Sequence, residues 1–143
     1  MEIRCPQNPQ EWEAYYQVRY RELRQPWNQV PGSEKDHLEH LAVHRAAYLD
    51  GNTVGVGRLD TVDEITAQVR FMAVSKGYQG KGIGSAIMNH LEELAWKNGK
   101  KTIILHAREI ALDFYMKEGY EYVQKSHLLF GEIQHFLMQK KKG

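Results

Sequence analysis

The sequence predicts a mixed α+β domain, and three features predict that class. Between Gln68 and Asn98 an alternating stretch runs through a glycine-rich loop into a helical period. Asp50-Gly51 sits between two strand-like runs, a strong hairpin signal. Two more strand-like runs lie beyond Tyr120. At 143 residues the chain is expected to be one domain, 1–143, long enough for a proper core. Its 42% hydrophobic and 26% charged residues are ordinary globular values.

Glu2–Cys5 reads as a short first strand, broken by Pro6 and Pro9. Asn8-Pro9 then suits a helix start, with Asn as cap and Pro at the first position. From Gln10 to Arg24 the spacing puts Trp12, Tyr16, Tyr20 and Leu23 on one helical face. Ser33–His40 is polar and reads as a short helix or as irregular chain. Its Asp36, His37, Glu39 and His40 invite a metal reading, but a stretch without rigid support is a poor metal site. Ala42–Leu49 and Thr53–Leu59 form the hairpin, and Gly55 and Gly57 either weaken its return strand or let a neighbour pack close. Gln68–Ser75 alternates, with Val69, Phe71 and Ala73 on one face. Ile83, Ala86, Ile87, Leu91, Leu94 and Ala95 then recur at three and four, and Asn98-Gly99 is a helix stop. Lys101–His106 is a buried-type strand, and Ala111, Phe114, Tyr115 and Glu118 have helical spacing that stops at Gly119. Tyr122–His127 and Leu128–Met138 are expected to close the fold, leaving Lys140–Lys142 as a solvated chain end.

Composition excludes several function classes. The formal net charge of +1 supplies no bulk field for nucleic acid or an acidic membrane, so neither is an expected partner. The single Cys5 rules out an internal disulfide and a multi-cysteine metal site. With no apolar run of bilayer length and no signal peptide pattern, the expected location is the cytoplasm.

The strand, glycine loop and helix together make a phosphate site. Glycines let backbone approach a ligand, and a helix start offers unpaired N–H groups at the positive end of its dipole. The spacing fits neither a P-loop, because Lys81 is followed by Gly82, nor the Gly-x-Gly-x-x-Gly of dinucleotide folds. Gln79-Gly80-Lys81-Gly82-Ile83-Gly84 instead matches Gln/Arg-x-x-Gly-x-Gly/Ala. Arg108-x-x-Ala111-x-x-Phe114-Tyr115-x-x-x-Gly119-Tyr120 matches a second pattern, Asn-x-x-Ala-x-x-Phe-Tyr-x-x-x-Gly-Phe/Tyr, with Arg108 where Asn is usual. On these two motifs the chain resembles the GNAT superfamily of acyl-CoA-dependent N-acyltransferases, over essentially Ile3–Met138. Glu132-Ile133-Gln134-His135-x-x-Met138 is similar to the ending of its ElaA-like and YjcF-like branch, with Gln134 in place of Pro, and His44 suits the same branch.

The resemblance implies a central, mostly antiparallel twisted sheet of about six to seven strands flanked by about four helices. It implies acetyl-CoA as co-substrate and no metal. Met72, Ala73, Val74, Gln79, Gly80, Lys81, Gly82, Ile83, Gly84, Ser85, Arg108 and Tyr115 would hold the cofactor. An acetyl group would pass to a primary amine of a small molecule or protein by direct attack, through a tetrahedral intermediate. Tyr115 matches the family's general acid, and its other reading is a core tyrosine beside Phe114. His44, His106, His135 and Glu64 are candidate bases, with His106 and His135 favoured by position and motif; an imidazole suits the work. Tyr20, Arg21, Arg24 and Trp27 are candidate acceptor contacts, since the family's first helices border that site. A homodimer through aromatic residues of the first helix or last strands stays open. A reading of a different class is a non-catalytic acyl-CoA sensor or interaction module.

Overall fold

Seven strands form one sheet in the order β1-β2-β3-β4-β5-β7-β6 in the computed structural model, which describes residues Met1–Gly143. They are β1 (Glu2–Arg4), β2 (Val43–Leu49), β3 (Asn52–Thr61), β4 (Thr66–Val74), β5 (Thr102–Arg108), β6 (Glu121–Leu129) and β7 (Ile133–Lys141). Only β4 and β5 pair in parallel; the other neighbours are antiparallel. Three α-helices accompany the sheet, α1 (Pro9–Leu23), α2 (Ile83–Lys97) and α3 (Leu112–Lys117), rather than about four. Single 3-10 turns lie at Gln25–Trp27, Glu39–Leu41 and Glu109–Ala111.

Asn8 caps α1 as expected, its side chain accepting from the Glu11 amide at 2.9 Å. The buried face of α1 is not the expected one. Tyr15, Val18 and Arg19 face the sheet, while Trp12, Tyr16, Tyr20 and Leu23 are half-buried. The reason is ionic. Arg19 and Arg58 are wholly buried and are met by carboxylates of the polar stretch 33–41. Arg19 donates to Glu39 at 2.8 Å; Arg58 donates to Asp36, Asp60 and Glu39 at 2.7–2.8 Å. Asp36 and Glu39, two of the four metal candidates, are therefore ion-pair partners, and this use keeps the stretch in turns. A buried pair is costly to desolvate, and most costly when one partner is lost.

The sheet carries an apolar cluster on each face. Ala46 joins Tyr15 and Val18 of α1, whereas the next residue, Ala47, joins the α2 cluster of Ile87, Met88, Leu91 and Ala95, as strand periodicity requires. Met88 and Glu92 are buried on α2, and the expected Ala86 and Leu94 only partly so. Glu92 is held by the Tyr120 hydroxyl at 2.8 Å and Lys140 at 2.9 Å. Lys140 is thus a partner of the core, and β7 runs on through Lys141. Gly55 and Gly57 serve close packing: a Cβ at Gly55 would lie 2.7 Å from Ile87 Cδ1.

Two strand readings are corrected. The last turn lies at Phe130-Gly131, not after His127, so β6 includes Leu128 and Leu129. Within β4 the alternation breaks at Phe71, which has φ 53° where the register against β3 slips between Val56 and Arg58. This bulge reverses the facing of the residues beyond it. Val69 belongs to the α2 cluster and Ala73 to the α1 cluster, although simple alternation puts both on one face.

Candidate active site

The bulge does more than turn side chains. β4 pairs with β5 only over Thr66–Gln68 and Thr102–Ile104. Beyond that, β3 holds β4 and β7 holds β5 along its full length, so the parallel strands part. From Val69 onward the β5-facing edge of β4 has no strand partner, and its backbone groups are available to a ligand. Two cavities open at the parting, of about 600 Å³ and about 190 Å³. Both are lined by Leu23, Met72, Arg108, Ala111 and Tyr115, so they meet there.

The larger cavity gathers eleven of the twelve expected cofactor residues: Met72, Ala73, Val74, Gln79, Gly80, Gly82, Ile83, Gly84, Ser85, Arg108 and Tyr115. Lys81 is the exception. Its ammonium lies 5.5 Å from the centroid of the Tyr78 ring, outside the lining. Gly82 stands just before α2 at φ 80°, a left-handed backbone that side chains resist, and no side chain caps the helix. The first-turn N–H groups of α2 are left for an anion. Gln79 donates to the Val74 carbonyl at 3.1 Å, tying the loop to the end of β4. The Ser85 hydroxyl donates to Glu118 at 2.7 Å. Tyr78, Ile110 and Phe114 also line this cavity. Sequence reasoning puts Phe114 in the core; the motif spacing on α3 is the signal that could have placed it here.

The smaller cavity holds the histidines. His106 of β5 and His135 of β7 line it, as does His127 of β6, which sequence reasoning misses because its position reads as a strand end. The His127 and His135 rings stack with centroids 4.5 Å apart, and His127 and His106 lie 5.1 Å apart. His135 Nδ1 lies 3.0 Å from the Ile133 carbonyl. A carbonyl only accepts, so Nδ1 carries the proton and Nε2 of the neutral ring keeps its lone pair. His106 Nδ1 lies 2.9 Å from the Ser126 hydroxyl. Burial lowers the pKa of all three, helped at His135 by His127, Arg108 and His106 and at His127 by Arg70.

Other candidates sit elsewhere. His44 lies under α1, with the Tyr15 hydroxyl 2.7 Å from Nδ1 and Nε2 donating to the Glu39 carbonyl at 2.7 Å; it lines neither cavity. Glu64 is exposed in the β3–β4 turn. Of the expected acceptor contacts, Arg24 and Trp27 line the smaller cavity, whereas Tyr20 donates to the Gln29 carbonyl at 2.7 Å and Arg21 is exposed. Phe71 lines the cavity too, its ring within 4.3–5.4 Å of the guanidiniums of Arg19, Arg24, Arg58 and Arg70. Tyr115 is buried at the junction, and burial raises its phenol to about 12 against the opposing pull of Arg108.

The family model described as the acetyltransferase (GNAT) family matches residues 1–120. The chain is 33% identical over 112 residues to the uncharacterized N-acetyltransferase YjcF of Bacillus subtilis, covering 78% of this chain and 79% of YjcF. It is 32% identical over 107 residues to the uncharacterized protein YyaT of the same organism, covering 75% and 71% of the two chains. Among solved structures, an aminoglycoside 6'-N-acetyltransferase complexed with coenzyme A superposes with TM-score 0.83 at 18% identity, over 99% of this chain and 97% of the other. Escherichia coli ElaA superposes with TM-score 0.81 at 18% identity, over 98% and 99%. At that identity the likeness is one of fold.

Proposed function

The chain belongs to the GNAT acetyltransferase family, an N-acetyltransferase family that uses acetyl-CoA, and from that premise we propose how this site works and on what kind of group. The whole chain acts as one acyltransferase domain. Acetyl-CoA lies in the larger cavity with its pyrophosphate on the Gln79–Ser85 loop and the start of α2. Its acyl arm runs along the free edge of β4. A primary amine enters the smaller cavity. The observation that carries this reading is the junction: the cavities meet at Met72, Arg108 and Tyr115, which is where a thioester and an amine have to meet.

The amine must lose a proton to attack. His135 Nε2 is the base, with His106 beside it, because its other nitrogen is already committed to a carbonyl. The neutral nitrogen adds to the thioester carbonyl directly, and backbone N–H groups of β4 at the bulge stabilise the oxyanion. On collapse the C–S bond breaks and the electron pair leaves on sulfur. Tyr115 hydrogen-bonds that sulfur. Burial pushes its phenol up to about 12, so it keeps its proton and offers the sulfur a hydrogen bond. Tyr115 acts as a donor that steadies the thiolate; the proton that His135 takes before attack passes to solvent, and the second, lost from nitrogen after attack, reaches the sulfur.

Melting-temperature shifts with acetyl-CoA, desulfo-CoA and ATP, followed by thiol release across an amine screen, test the reading. Stabilisation by both CoA compounds but not ATP, with turnover of at least one amine, is expected. No shift with either CoA compound contradicts it.

A further inference from the structure

The charge around the smaller cavity is one-sided. Arg24, Arg70 and Arg108 line it together with the three histidines, and no Asp or Glu does. Arg70 is partly offset, 3.4 Å from Asp36. Arg24 and Arg108 form no ion pair. Arg24 is also built in. Nε donates to the Ser33 carbonyl and Nη1 to the Leu23 carbonyl, both at 3.1 Å. Its guanidinium lies 5.4 Å from the Phe71 ring centroid and 5.3 Å from that of Phe130. The two hydrogen bonds anchor it and leave the Nη2 hydrogens without a partner. A guanidinium so oriented, with unpaired donors facing a cavity, suits a planar or tetrahedral oxyanion.

Resting on the acetyl-transfer reading above, we propose that the acceptor is a small amine carrying a carboxylate or phosphate a few bonds from its nitrogen, bound through Arg24 and Arg108. A simple alkylammonium or a polyamine brings positive charge into a positive cavity. An amino acid or aminoalkyl phosphate enters near neutrality or with negative charge, and its anion compensates the guanidiniums. The same cationic lining lowers the pKa of the bound ammonium, which makes the nucleophilic neutral amine cheaper to reach. At about 190 Å³ this cavity is about a third of the volume of the larger one, which suits an acceptor smaller than the acyl donor.

Calorimetric binding in the presence of CoA, paired with thiol-release kinetics from acetyl-CoA, tests this with matched probes: β-alanine against β-alanine amide, phosphoethanolamine against ethanolamine, and spermidine as the polycation. The anionic member of at least one pair is expected to bind at least tenfold more tightly than its partner and than spermidine, and to show the higher kcat/KM. The pair that shows the gap separates carboxylate from phosphate. Arg24→Gln, which touches only the smaller cavity, is expected to collapse the gap while leaving the Kd of acetyl-CoA unchanged. Equal or tighter binding of the neutral and cationic members, binding of no anionic member, or an undiminished gap in Arg24→Gln overturns the proposal. A binding preference for the anion without thiol release from any pair counts instead against the acetyl-transfer reading and leaves the charge assignment standing.

Discussion

Gly82 concentrates two demands at one residue. Its φ of 80° places it in the left-handed region, and its position before α2 puts any side chain beside the proposed pyrophosphate site. Gly82→Ala carries only the backbone strain, about 1–2 kcal/mol. Gly82→Asp adds a negative charge facing phosphate. Titration with acetyl-CoA is therefore expected to show a loss of at least tenfold for Gly82→Asp and a smaller loss for Gly82→Ala. His135 carries the second prediction at this scale. Burial holds its pKa below the usual histidine value, so the acid limb of kcat/KM belongs below pH 6.5. Replacement by Gln is expected to remove that limb and to lower the rate on the order of a hundredfold. The positions of the glycine loop and of Tyr115 at the cavity are legible in the sequence because each motif is local: one loop, one helix turn. His127 is not, since only the pairing of β6 with β7 stacks it on His135.

Among the elements, α1 departs furthest from its sequence pattern. Aromatic spacing points to a face through Trp12 and Tyr20, yet the helix buries Tyr15, Val18 and Arg19. Periodicity counts apolar residues, and it cannot see that a buried arginine is supplied with a carboxylate from a loop 20 residues on. Arg58 shows the strength of that arrangement. It is wholly buried and serves Asp36, Glu39 and Asp60 together. Arg58→Met leaves Asp60 without a cation and Asp36 and Glu39 with only Arg70 and Arg19, and urea unfolding is expected to give a loss of about 3–5 kcal/mol. The bulge at Phe71 escapes sequence reasoning for a related reason: alternation through Gln68–Ser75 continues smoothly on paper. Only the register against β3 reveals the extra residue that parts β4 from β5. The hairpin, the Asn8 cap, the Gly99 stop and the strand order into the glycine loop need no such long-range information.

For the whole molecule, pH dependence of stability is set by the groups whose titration folding shifts. Five histidines, His44, His90, His106, His127 and His135, have pKa values lowered, first of all by burial. The unfolded chain therefore takes up protons at these positions first, and stability falls as pH drops below about 6.5. Asp36 adds a second step. Burial works to raise its carboxyl, but hydrogen bonds from Arg58 and the Leu38 amide, with the nearby arginine charges, hold it at about 2. Its contribution is present above about pH 4 and is lost as pH falls toward 2. Melting temperature is expected to be highest above neutrality, to decline from pH 6.5 downward, and to decline again below pH 4. The two cavities meet at Tyr115, where the proposed reaction takes place. The most direct measurement is acetyl-CoA affinity and thiol release in Tyr115→Phe beside the wild type. An unchanged Kd with kcat reduced ten- to a hundredfold is the expected result; an unchanged kcat, or a Kd weakened in step with the rate, contradicts a role for this hydroxyl at the departing sulfur.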